Sequence, residues 1–286
     1  MKIIIAVIGG LCVYLAIEAN TFGQKSPYSI RVDVVERTAK AINYPYRSGS
    51  TTIGFRGTDL QPLARGEAKV ESKQGYTEIE VEFDDMLPPS RYGREYLTYV
   101  MWAVTPQGRS RNLGEVILNG TKSKLDVTTE LQSFGLIVTA EPYFAVNQPT
   151  DRVVLENYVR PDTRGKVEEI TTRYELRDKN QFDFERMPNS LKPTLIDTSL
   201  PLDLQEARHA VRIAEWTGAD RYAPEIMSSA REQLNKAEGY FVHKAGAKAI
   251  TMVARSVVQN AEDARLIAVN RKQDEDLLRL RARRRR

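Results

Sequence analysis

The sequence predicts a two-part chain, β first and α second, with an antiparallel β-sandwich followed by a helical hairpin or three-helix unit. Three observations carry this. Apolar residues recur with period two, or in short β-branched and aromatic runs, from residue 28 to about 180. The period then disappears between Asp183 and Asp203, where Pro188, Pro193 and Pro201 interrupt any helix. Beyond that point the spacing becomes three and four, the period of a helix.

Taken in order, the strands begin with Tyr28 to Glu36 (YSIRVDVVE) and continue with Tyr76 to Phe83 (YTEIEVEF), both alternating. Tyr96 to Val104, Asn112 to Leu118, Lys124 to Thr129, Gly135 to Ala140 and Arg152 to Val159 are apolar or β-branched runs, and Ile170, Tyr174 and Leu176 add a last strand. Turn residues separate them at Arg47 to Ser50, Gln74-Gly75, Pro106 to Gly108, Asn119-Gly120 and Asn147 to Pro149. Strands at this spacing resemble immunoglobulin-like and fibronectin-like sandwiches in architecture alone, because the hallmark disulfide is missing. Leu204, Ala207, Val211 and Ala214 mark a first helix ending near Trp216, with Gly218 as a left-handed cap. A second starts around Asp220 to Pro224 and carries Ala223, Ile226, Met227, Ala230, Leu234, Ala237 and Phe241. A third runs from about Ala247 to Leu280 after a break at Lys244 to Gly246, with a seam of Ile250, Val253, Val257, Ala261, Ala264 and Ala268.

The first residues read as a secretory signal peptide. Lys2 precedes the apolar run Ile3 to Ala16, and Thr21 and Gly23 supply small residues before Gln24, the pattern of a cleaved secretory signal. The other reading, an uncleaved anchor, needs about 20 apolar residues, and Glu18 and Asn20 interrupt the run. Leu11 before Cys12 departs from a lipoprotein signal. Cys12 is the only cysteine, so a cleaved chain has neither disulfide nor thiol. The division expected is a signal peptide over 1–23, the sandwich over 24–182, a Pro-containing linker over 183–202, a helical domain over 203–282 and an Arg-rich tail over 283–286.

Charge is unevenly placed. The net +4 includes Arg279, Arg281, Arg283, Arg284, Arg285 and Arg286, and without these six the chain stands at −2. The body therefore makes no electrostatic demand for nucleic acid. The tail has three readings: a solvated helix end, the end of a truncated reading frame that has lost a third domain, or a contact for anionic polymers and lipid head groups through guanidinium–phosphate pairs. Glu78, Glu80 and Glu82 share a strand face and read as a solvated surface that discourages edge pairing, with a cation or sugar site as the functional reading. Tyr92, Tyr96, Tyr99 and Trp102 form a candidate aromatic ligand face, against the reading that strand aromatics are core. His209 and His243 lack a second histidine at i+3 or i+4 and read as solvent-facing or capping. No G-x-S-x-G, P-loop or dinucleotide fingerprint occurs, so no catalytic, cofactor or metal residue is assigned.

The stretch Tyr99 to Thr163, which opens YVMWAVTPQGRSRNLGEVILNG, together with EARHAVRIAEWTGADRYAPEI at Glu206 to Ile226, resembles the N-terminal part of secreted bacterial OmpA-family envelope proteins. There a β-rich segment precedes a helical domain of unknown function and usually an OmpA-like peptidoglycan-binding domain. This sequence stops at Arg286, about where that last domain would begin, so the family's grip on the wall is carried to no residue here. The resemblance implies a periplasmic or envelope location and a non-enzymatic structural or adaptor role. The expected partners are envelope polymers or envelope proteins, with self-association through the helices and peripheral membrane contact through the Arg tail. The alternative is a carbohydrate-binding or carbohydrate-processing module using the aromatic face.

Overall fold

The computed structural model describes residues 37–43, 49–161, 163, 170–174, 187–192, 196–197 and 199–284. The expected signal peptide, the strand at Tyr28 to Glu36, and Arg285 and Arg286 lie outside them. Among the described residues ten strands come first: β1 (Arg37–Asn43), β2 (Ser50–Gly57), β3 (Arg65–Ser72), β4 (Thr77–Asp84), β5 (Thr98–Val104), β6 (Ser110–Val116), β7 (Ser123–Thr129), β8 (Ser133–Glu141), β9 (Val153–Tyr158) and β10 (Ile170–Tyr174). Four helices follow: α1 (Leu202–Thr217), the short α2 (Ala219–Tyr222), α3 (Pro224–Val242) and α4 (Ala247–Arg284). The chain is thus a mostly antiparallel sheet followed by helices.

Every ladder is antiparallel, and the strands run β7-β4-β3-β2-β9-β8-β5-β6, with β1 beside the start of β8 and β10 beyond β1. The path bends until β6 lies alongside β7. Gly114 stands where β6 nears β7 and follows a register shift against Met101 and Trp102. Its φ of 152° strains any side chain, and a Cβ there would sit 3.4 Å from Val127.

Inside the curve, Phe55 and Phe83 meet edge to face at 5.1 Å, surrounded by Ile53, Val70, Ile79, Val81, Met101 and Leu136. β4 follows its sequence pattern, with Ile79, Val81 and Phe83 inward and Glu80 and Glu82 in solvent. β5 is buried along its whole length. Tyr99, Met101 and Ala103 enter the inner core, while Val100, Trp102 and Val104 face a second core built with the helices. An uninterrupted apolar run marks a strand covered on both sides, and TYVMWAV is such a run.

The helices form that cover. Leu204, Ala207, Ala214, Met227, Ala230, Val257 and Ala254, Ala261, Ala264 and Ala268 of α4 join Trp102 and Ile137 in one cluster. Gly218, at φ 95°, closes α1 by donating its N–H to the carbonyls of Ala214 and Glu215. Pro224 takes the first turn of α3, where its missing N–H costs nothing. Within the expected linker, described only in part, Met187 is buried and Leu191 and Leu200 pack on the same cluster. All described residues fall in one compact unit, Asp33–Arg286. Among the described residues no helix is long and apolar enough to cross a membrane.

Candidate functional site

The four aromatics do not make one surface. Side chains alternate along a strand, so Tyr99 and Trp102, three residues apart, point to opposite faces of β5, and both are fully buried. The Tyr99 O–H donates to the Leu87 carbonyl at 2.6 Å and accepts from Gln61 Nε2 at 2.6 Å, and Trp102 Nε1 donates to Thr139 Oγ1 at 2.8 Å. Tyr96 is 7% exposed, and burial pushes its phenol, like that of Tyr99, well above the usual range. Tyr92, on a 3-10 turn at Pro89–Tyr92, is half-buried and donates to the Leu60 carbonyl. The candidate aromatic face is therefore corrected: three of its members are core, Tyr96 and Tyr99 in the inner layer and Trp102 against the helices.

The junction of sheet and helices holds buried charge that the sequence did not reveal. Arg265, 2% exposed, donates to both oxygens of Glu262 at 2.6 and 2.8 Å and to Asn147, while the Tyr143 O–H donates to Glu262 at 2.6 Å. A second knot centres on Arg255, 3.6 Å above the Phe144 ring, which donates to Glu115 at 2.7 Å and Asp203 at 3.1 Å. Thr98 and Thr251 hold those carboxylates from β5 and α4. Glu206 is fully buried beside them, with its carboxyl hydrogen-bonded to that of Glu115. Burial, reinforced by Glu115 and Asp203, raises its carboxyl well above the usual range, so it is held protonated. His209, expected at the surface or at a cap, is instead buried one turn on, because that face of α1 meets the sheet. Burial, with Arg212 nearby, lowers its pKa to about 4, which keeps the imidazole neutral. His243 is exposed and caps α3. The two arginine knots tie one layer to the other, and Arg265 also lines a groove beside Trp216 and Thr217.

The outer face of β3, β4 and β7 is a solvated charge lattice. Glu80 pairs with Lys69 at 3.6 Å, Glu82 with Lys124 at 3.1 Å, Glu78 with Lys73 at 3.7 Å and Asp84 with Lys122 at 2.8 Å. Carboxylates so neutralised hold a cation poorly. Among the described residues no group of three or more His, Cys, Asp or Glu is placed to hold a metal ion.

The end of α4 is different. Ala268 is its last buried residue, and the helix continues to Arg284. Glu275 ties the near side of this extension to α2, accepting from Arg221 at 3.2 Å and the Tyr222 O–H at 3.0 Å. Leu277 and Leu278 are 49% and 62% exposed. Arg279 pairs with Glu275 and Asp276, whereas Arg281, Arg283 and Arg284 are exposed and form no ion pair among the described residues. A groove of about 320 Å3 lies at the root of the extension, between Trp216 and Thr217 of α1 and Val269, Lys272 and Gln273 of α4. The sequence marked the arginines; the leucines among them were legible only once the body of the protein was seen to end at Ala268. No family model, no curated protein and no solved structure matches the chain.

Proposed function

We propose that this chain is a non-enzymatic, secreted cell-envelope protein, periplasmic or envelope-bound, acting as a structural or adaptor module by surface recognition. The observation that carries the reading is the helical extension past Ala268, whose unpaired arginines and exposed leucines have no role in the core. The resemblance of Tyr99 to Thr163 and of Glu206 to Ile226 to OmpA-family envelope proteins supports the location. Within this reading the β part is an immunoglobulin-like or fibronectin-like sandwich: β2, β3 and β4 form one layer, β5 and β8 the other, about a shared apolar filling. The helices stiffen one layer and carry the contact element outward, toward envelope polymers or envelope proteins, with self-association through α3 and α4 as a further route. The carbohydrate alternative draws no support from aromatics that are buried.

The test is co-sedimentation with purified cell-wall and outer-membrane fractions over a salt series, using the protein and its R281Q/R283Q/R284Q variant. Salt-sensitive pelleting that the variant loses is the expected result. A protein that stays in the supernatant with both fractions at low salt is not an envelope adaptor.

A further inference from the structure

The extension of α4 has two sides. Glu275 faces α2 through Arg221 and Tyr222. At roughly 100° per residue, the stripe opposite Glu275 carries Leu277, Leu280, Arg281 and Arg284, spaced i, i+3, i+4 and i+7. The side turned from the protein is thus apolar and cationic together, with Leu277, Arg281 and Arg284 exposed and Leu280 half-buried at its edge. From residue 269 to the end of the sequence there are eight basic and three acidic side chains. Two copies of such a segment repel each other, which argues against a second copy as the occupant. An anionic polymer satisfies the arginines but gives the leucines nothing to enter. A bilayer surface with anionic head groups satisfies both, because guanidinium pairs with phosphate while the apolar flank reaches the acyl boundary.

We infer that residues 277 to 284 of α4 form an amphipathic seat for an anionic lipid surface, laying Leu277 and Leu280 into the interface between phosphate-bound Arg281 and Arg284. This deepens the adaptor reading above and rests on it, since it names the partner of the same helix end.

Vesicle flotation tests it. The full chain, an R281Q/R283Q/R284Q variant and an L277D/L280D variant are mixed with vesicles of phosphatidylcholine alone or with about one-third phosphatidylglycerol. Salt is varied from about 50 to 500 mM. All three share the same N-terminal segment, so any lipid contact made there cancels. The substituted side chains lie past the last buried residue, and unchanged circular dichroism verifies the fold. The expected result is flotation with the anionic vesicles only, weakened at least tenfold by salt or by the arginine changes and several-fold by the leucine changes. Equal binding to neutral vesicles, or full binding by either variant, overturns the inference. Repeating the series with cell-wall fractions separates the two levels. Wall binding without vesicle binding removes the lipid seat and keeps the adaptor, whereas binding to neither removes both.

Discussion

The sheet has a wet half and a covered half, and they are stabilised by different means. On β4 every second residue from Glu78 to Asp84 is a carboxylate paired with a lysine, in water and individually weak. On β5 every residue is buried, and the outward-facing ones, Val100, Trp102 and Val104, meet helices. A strand tolerates substitution on a wet face and almost none on a covered one.

Trp102→Ala is the largest way to break that contrast. It removes the biggest side chain of the covered face and leaves Thr139 without its donor, so we expect a loss of about 3–5 kcal/mol in urea unfolding. Next is pH. His209 has its folded pKa near 4 against 6.5 in the unfolded chain, so its contribution is complete above pH 6.5 and is lost as pH falls toward 4. The loss amounts to about 3 kcal/mol, and His209→Gln abolishes it. Glu206 runs the other way: its folded pKa is raised above 4.5, so stability is full at acid pH and declines as pH rises above 4.5. Chemical denaturation at pH steps from 4 to 8 resolves both, with Glu206→Gln flattening the alkaline side. Ala261→Leu, in the close seam of α4, should cost about 1–3 kcal/mol by overpacking. On the wet face, Glu80→Gln should stay within about 0.5 kcal/mol and its effect should vanish in high salt.

How much of this the sequence revealed follows the same division. The alternation of β4, the unbroken apolar run of β5, the Gly218 cap and Pro224 at the start of α3 were all legible, because each expresses a local rule. β2 and β3 were not expected as strands. Their sequences STTIGFRG and RGEAKVES are short of large apolar residues, and their conformation comes from ladders to β9 and β4 on either side. The burial of Tyr99 and Trp102 on opposite faces was available from their odd separation, once β5 was read as a single strand. Glu206 and His209 were not available, since a polar residue in a helix is assigned to water unless its neighbours are known. The chemistry of the junction therefore became visible only with the pairing of layers.

At 1.5 Å per residue, Arg281 to Arg284 stand roughly 20–24 Å along the helix from Ala268. That is more than twice the distance, about 8 Å, over which a charge is felt through physiological salt. The tip is therefore screened from the charges packed around Ala268, while Asp276 and the body-held Glu275, five and six residues before Arg281, are the charges it still feels. What the tip meets is set by the local balance of α4's own end, eight basic against three acidic side chains from residue 269 on.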